Sequence, residues 1–326
     1  MISADAPARE GDLQHAHVLA AARRRGLTLT DVSATMGCKA TLIDDGDRSE
    51  LLVQGIIASQ MSLHTKHICD HKQLTKRVFD RVGIPTPRSV LISGPDDPAI
   101  EGFFEPGRRY VCKPQVAANG IGVEMDLTRP AQLTAYWTRF GHLDARFLLE
   151  EQIDGTDLRI QVIGGRLAAA CVRVPAHVFG DGKAPLSVLI ERRRAVMRGQ
   201  NPANVLEIDH AAGVLLQRQG LTLDSVPDAG RQVWLKSVSN MGQGGHAIDV
   251  TDALHPRYAA WVEQLVRACR GGFFALDVIC SGAPADDPDG TAVALELNAL
   301  AEWIHHTFSE QRTHDLGARV IEAAFG

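Results

Sequence analysis

Two acids and an amide stand in a stretch that otherwise reads as apolar strand. Residues 271–300 run GGFFALDVICSGAPADDPDGTAVALELNAL, two β-rich runs on either side of a loop crowded with Gly, Pro and Asp. Folding the stretch into a hairpin about the middle of that loop sets Asp277 opposite Glu296. Glu296 and Asn298 then share a face, because strand side chains alternate. Carboxylates inside a sheet are costly to bury without a neutralising cation. Magnesium, which takes oxygen ligands and shares them with substrate phosphates, is the natural occupant. A solvated sheet face is the other reading of the same residues.

Further basic and glycine-rich positions are of the kind that meets phosphate. A helix is expected over residues 71–82, capped by Asp70 and closed by Gly83, which puts Lys72 in its first turn. A cation is unfavourable there, next to the positive helix terminus, unless an anion draws it. Lys113 ends a strand over 110–113, and six residues later Asn119-Gly120-Ile121-Gly122 forms a flexible turn. Glycines let backbone N–H groups approach an anion closely, and an ordinary hairpin turn is the competing reading. The fragment is neither GxGxxG nor a P-loop. Arg159 and Arg173 fall on the two strands of a hairpin turned by Gly164-Gly165, where they can present forked donors to a carboxylate or phosphate. His64, His67 and His71 share helical spacing but lack a matching ligand pair, so they read as solvated or capping residues. His305 and His306 follow the last strand, where they could touch substrate; adjacent histidines are expected to face different ways.

The chain has 326 residues, 45% apolar and 22% charged, with 34 basic against 39 acidic side chains. No basic stripe stands out, which argues against duplex nucleic acid as a partner. No run of about 18 apolar residues argues for a membrane span, and the polar start gives no signal-peptide core. Six cysteines without CxxC spacing read as buried thiols of a reducing cytoplasm. The elements that must position the chemistry divide into a small N-terminal α/β lobe (1–69), a central unit (70–149) and a C-terminal unit (150–326). The lobe starts with a helix over 14–26, followed by strands near 27–32, 40–43 and 51–57. Residues 177–235 interrupt the last unit as an excursion or lid without a core of its own.

DHKQLTK (70–76), YVCKP (110–114), NGIGV (119–123), LLEEQIDGTDLRIQVIGG (148–165), RVPAHVFGDG (173–182), SNMGQGGHAIDVTD (239–252), ALDVIC (275–280) and LELN (295–298) occur in this order. The set resembles the ATP-grasp superfamily, most closely the ATP-grasp portions of cyanophycin synthetase and of the bifunctional glutathione synthetases. That resemblance implies an α/β (α+β) fold in which two subdomains grip ATP. It implies an ATP-dependent carboxylate–amine ligase, joining small metabolites through an acyl phosphate with release of ADP and phosphate. A kinase of the same fold, releasing a phosphorylated small molecule, is the alternative.

Carried over residue by residue, Lys72 and Lys113 look like nucleotide-phosphate lysines, and Asn119, Gly120 and Gly122 like the loop over the phosphates. Glu150, Glu151 and Ile153 look like the adenine-binding hinge, and Asp157 like a ribose contact. Arg159 and Arg173 look like the catalytic arginines. His177, Asn240, Gly244, Gly245 and His246 fall on the substrate side. Asp277, Glu296 and Asn298 look like ligands of Mg2+, two ions of it, with Mn2+ as a substitute. The resemblance also allows a homodimer. Departures lie on the substrate side: Ala-Leu-Ala-Glu-Trp follows Asn298, and His246 stands where a small or hydroxyl residue is usual. The second halves of the two resembled enzymes have no counterpart in these residues, so a stand-alone ligase is the expectation.

Overall fold

The computed structural model describes residues 12–116 and 120–326. Its chain divides into two compact units, neither of them a continuous segment. One unit comprises Ser59–Ala170 and Val250–Ala301; the other comprises the chain up to Ala58 with Cys171–Asp249 and Glu302–Gly326. These units cut the chain elsewhere than the 69/70 and 149/150 boundaries expected from sequence.

The first unit holds two sheet regions. In one, four antiparallel strands lie in the order Ser89–Ile92, Phe147–Glu151, Tyr110–Pro114, Glu124–Leu127. Phe147 and Leu149 point into a core with Tyr110, Cys112, Leu133 and Tyr136, so Leu148 and Glu150 are forced to the opposite face. In the other region, Phe274–Cys280 lies between Thr156–Ile163 and Ala292–Asn298, antiparallel to both. Leu158, Ile160, Val162, Phe274, Leu276, Val278 and Leu297 pack in one core with Phe79, Trp261 and Leu265 of helices Lys72–Val82 and Arg257–Cys269. The alternate positions of the same strands carry Asp157, Arg159, Gln161, Asp277, Glu296 and Asn298, with Ala275 and Ile279 among them. Gly155, at the entry to this region, has no room for a side chain: a Cβ would sit 2.3 Å from the carbonyl oxygen of Cys280.

In the second unit, helix Asp12–Arg24 packs on Leu316–Phe325, beside a four-stranded meander. The single strand expected over 51–57 is a hairpin, because Gln54 and Gly55 both take positive φ (50° and 87°) and reverse the chain. Residues 177–235 also depart from expectation. Helices Leu186–Gln200 and His210–Arg218 cover the paired strands His177–Phe179 and Gln232–Trp234. Val178, Leu186, Ile190, Met197, Leu206, Leu216 and Val233 close a core of their own. Four charged residues in a row, Glu191–Arg194, mask the apolar spacing in the sequence.

Two smaller expectations change as well. Asp70 ends helix Leu63–Asp70 and pairs with Lys66 Nζ at 2.5 Å, while the N-cap of the next helix is His71, without a side-chain cap. Of the cysteines, Cys38 is half-buried and the other five are buried. Burial pushes the Cys112 thiol up to about 12 and the Cys269 thiol to about 11, so neither is a ready nucleophile at neutral pH.

Candidate active site

The first unit gathers the phosphate- and metal-type residues on the polar face of the Phe274–Cys280 region. Arg159, Asp277 and Glu296 are cross-strand partners in one row, and residues directly opposite across a sheet share a face. Asp277 therefore sits opposite Glu296, as the hairpin argument expects. Arg159 Nε lies 2.6 Å from Asp277 Oδ1. Asn298 donates from Nδ2 to Asp277 Oδ2 at 3.0 Å, which leaves its amide oxygen open to a cation. Asp157, two residues before Arg159, is on the same face, at the register position of Ile279.

Lysines reach this centre from the helix packed beneath it and from the neighbouring sheet. Lys72 is buried with its Nζ 3.9 Å from Glu296 Oε2. Burial pulls the Lys72 ammonium below the usual lysine range, and the Glu296 carboxylate only partly restores it. Lys76 went unnoticed in the sequence. It is one helical turn after Lys72 and so on the same face, and its Nζ lies 2.8 Å from Glu150 Oε2. The other oxygen of Glu150 is in contact with Lys113. Burial alone would raise the Glu150 pKa, but Lys113 and then Lys76 outweigh it and hold the carboxyl down at about 2. Conversely, Lys113 is raised: burial lowers it, and the Glu150 and Glu296 carboxylates overcome that.

The side chain of Glu150 is thus committed to two lysines. Glu151, by contrast, turns outward and meets Arg108 at 2.7 Å. Gly120 and Gly122 both take positive φ (74° and 70°), and Gly122 O accepts from Tyr136 Oη at 2.7 Å. A Cβ on Gly122 would lie 2.8 Å from Leu143 and 2.9 Å from Pro114. Asn119 lies outside the described residues.

The remaining expected residues fall in the second unit. Arg173 is on the strand that continues through Cys171–Val174, paired with Ala247 of strand His246–Asp249. His177 and His246 stack with ring centroids 4.1 Å apart and an interplanar angle of 25°. The carbonyl of Pro175 can only accept, so the 2.9 Å contact from His177 Nδ1 fixes the proton on that nitrogen. His246 Nδ1 faces Glu310 Oε1 at 3.0 Å. Burial and then Arg193 nevertheless push the His246 imidazole below its usual range. Asn240 precedes a single turn, Met241–Gln243, and accepts at its carbonyl from Gly245 N at 3.0 Å. Gly244 has φ 98°, and Arg193 Nη2 donates to the carbonyls of Gly244 and Gly245 at 3.4 and 3.3 Å. Arg193, like Lys76, was not singled out in the sequence; its place in a run of three arginines hid it. Beside this loop lies a cavity of about 230 Å³ lined by Val205, Glu207, Asp209, Lys236, Gly242 and Gln243.

The fold and the sequence have counterparts among known proteins. A bifunctional glutathione synthetase from Pasteurella multocida superposes on 97% of this chain, with a TM-score of 0.71 at 23% identity, and the match spans 44% of that chain. The chain has the ATP-grasp fold. In sequence it is 32% identical over 251 residues to cyanophycin synthetase of Trichormus variabilis, 74% of this chain and 27% of that protein. To the bifunctional glutathione biosynthesis protein of Streptococcus agalactiae it is 28% identical over 267 residues, 78% of this chain and 35% of the other. This ATP-grasp chain therefore spans about a third of the length of the curated relatives it matches. No family model matches it. None of its described helices is long and apolar enough to cross a membrane.

Proposed function

We propose that this protein is an ATP-dependent carboxylate–amine ligase that forms an amide bond between small metabolites, one of them an amino acid. The row Arg159–Asp277–Glu296, flanked by Asn298 and Lys72, carries the reading. Two carboxylates and a free amide oxygen form an all-oxygen donor set, which suits magnesium and also manganese. Asp277, Glu296 and Asn298 are assigned as the ligands of two such ions. When bound, the metal neutralises charge on the phosphoryl group being transferred.

The chain's own residues do the rest. Lys72 and Lys113 meet the nucleotide phosphates, Lys76 and Lys113 fix Glu150, and Arg159 and Arg173 stabilise charge as a carboxylate attacks the γ-phosphate. Arg159 already occupies one oxygen of Asp277, so it and a metal compete for that carboxylate. Gly120, Gly122 and Asn119 cover the phosphates; Glu150, Glu151 and Ile153 line the adenine; Asp157 meets the ribose. His177, Asn240, Gly244, Gly245 and His246 are assigned to the acid or amine substrate. Phosphoryl transfer needs positioning and charge neutralisation more than a protein nucleophile, in keeping with the raised cysteines. A cytoplasmic homodimer is the proposed setting.

The test is a screen of amino-acid pairs for ADP and orthophosphate formed in step with amide. Hydroxylamine should intercept the acyl phosphate as a hydroxamate with the correct acid alone. AMP as the stoichiometric product would overturn the mechanism. ADP formed with a stable phosphorylated product and no amide would assign a kinase instead.

A further inference from the structure

We propose that Cys171, His305 and His306 form a binding site for a zinc-class transition metal, using no ligand of the carboxylate centre. One thiol and two imidazoles each bring a ligating atom within 4.8 Å of the others. All three residues are buried, with relative exposures of 0, 2 and 0%. The two imidazole rings stand with centroids 4.3 Å apart and planes inclined at 36°. Adjacent histidines were expected to diverge, but the single turn Ile304–Thr307 turns both inward beside Cys171.

The residue types choose the metal. Thiolate and imidazole are the ligands of zinc, copper and cobalt, whereas magnesium takes oxygen. Tetrahedral zinc with bonds of about 2.0–2.3 Å keeps neighbouring ligand atoms roughly 3.5 Å apart. A cluster whose ligating atoms all lie within 4.8 Å of one another therefore needs at most a contraction of roughly 1.3 Å to close on such an ion. Three protein ligands also leave the fourth position to water or a substrate atom, the arrangement of catalytic rather than closed structural sites.

The backbone around the cluster is tied down on several sides, as a preorganised site requires. Trp303 N and Ile304 N both donate to Gln14 Oε1. His306 O accepts from His314 N at 2.9 Å and from Ser309 Oγ at 3.2 Å. The strand carrying Asp249 is joined to the segment after the histidines by Glu310 N to Ala247 O, 2.8 Å, and Asp249 N to Glu310 O, 3.0 Å. Asp249 is itself the cross-strand partner of Cys171. Its carboxylate is buried and holds His314 Nε2 at 2.5 Å.

The experiment uses the full chain, tag-free and stripped with a chelator. Titration with cobalt(II) should give a thiolate-to-cobalt charge-transfer band and intense tetrahedral visible bands, saturating at one ion per chain. Zinc should abolish these bands, magnesium should not, and zinc should raise the melting temperature. Cys171→Ser should lose the charge-transfer band and bind zinc at least tenfold more weakly. Glu296→Gln, outside the cluster, should keep both. The cobalt spectrum of the unaltered protein decides the matter even if a cluster variant fails to fold. Absence of a charge-transfer band there, zinc retained at well under one ion per chain, or an unchanged band in Cys171→Ser would overturn the proposal.

Discussion

Glu150 and His246 are both titratable and both largely enclosed, and their surroundings treat charge in opposite ways. Glu150 is kept ionised by two buried lysines at the cost of desolvating all three groups. His246 is pushed toward its neutral form, stacked on His177 and facing the exposed Glu310. One region invests in charge before any ligand arrives. The other is built from stacked rings, glycine backbone and a guanidinium laid over carbonyls. A site awaiting a polyanion gains from fixed cations that need no reorganisation. A site selecting among small organic substrates gains from shape and neutral hydrogen bonding.

Breaking the charged region should produce the largest effects. Glu150→Gln leaves the buried Lys76 and Lys113 without their shared anion, so stability should fall by about 3–5 kcal/mol in denaturant unfolding. The sign with pH follows from the lowered pKa. Glu150 contributes stability that is complete above the unfolded value of 4.5 and is lost as pH falls toward about 2. The variant should lack that acid-sensitive part of its unfolding profile; an unchanged profile would mean the trio is not coupled to folding.

Next comes chemistry without unfolding. Glu296→Gln keeps shape and removes charge, so ADP formation should drop by on the order of 10²–10³-fold, the usual loss for a preorganised charge-stabilising group. Its melting temperature should stay near that of the unaltered protein. Near-normal phosphate release at ordinary magnesium would break the metal assignment.

The neutral region should answer to shape. Gly244→Ala places a Cβ 3.1 Å from Leu206 and at φ 98°, a strain of about 1–3 kcal/mol. Its effect should appear in the substrate KM more than in nucleotide binding. Smallest of all is the pH response of His246. Its folded pKa lies below the unfolded value, so its stability contribution is complete above about 6.5 and declines as pH falls below that. His246→Gln should flatten the decline of melting temperature as pH falls below about 6.5. A slope unchanged by the substitution would assign the titration elsewhere.

The two regions also differ in how far the sequence announces them. Asp277, Glu296 and Asn298 were legible because strand alternation and one hairpin suffice to bring them together. Lys76 was not, since a lysine one turn after Lys72 reads as a solvated helix face until Glu150 is known to lie beneath it. The second unit's residues arrive from three separate stretches, near 171–177, 240–246 and 302–314, joined by turns whose direction local propensity does not set. His305 and His306 were visible as a pair, but Cys171 is more than a hundred residues away in an ordinary apolar strand. The core of 177–235 was hidden for another reason: charged neighbours diluted its apolar spacing.

Because the chain leaves and re-enters each unit, its order of synthesis orders the making of the site. Lys76, Lys113 and Glu150 all emerge within one stretch, so the ionic trio can close while much of the protein is still to be translated. Lys72 must wait for Glu296, Thr65 for the carbonyl of Cys269, and Thr86 for that of Ala294. Residues 171–249 appear in between and carry a core of their own. The ionic trio would thus be laid down early and the row of Arg159, Asp277 and Glu296 last, as the final strand of its sheet docks.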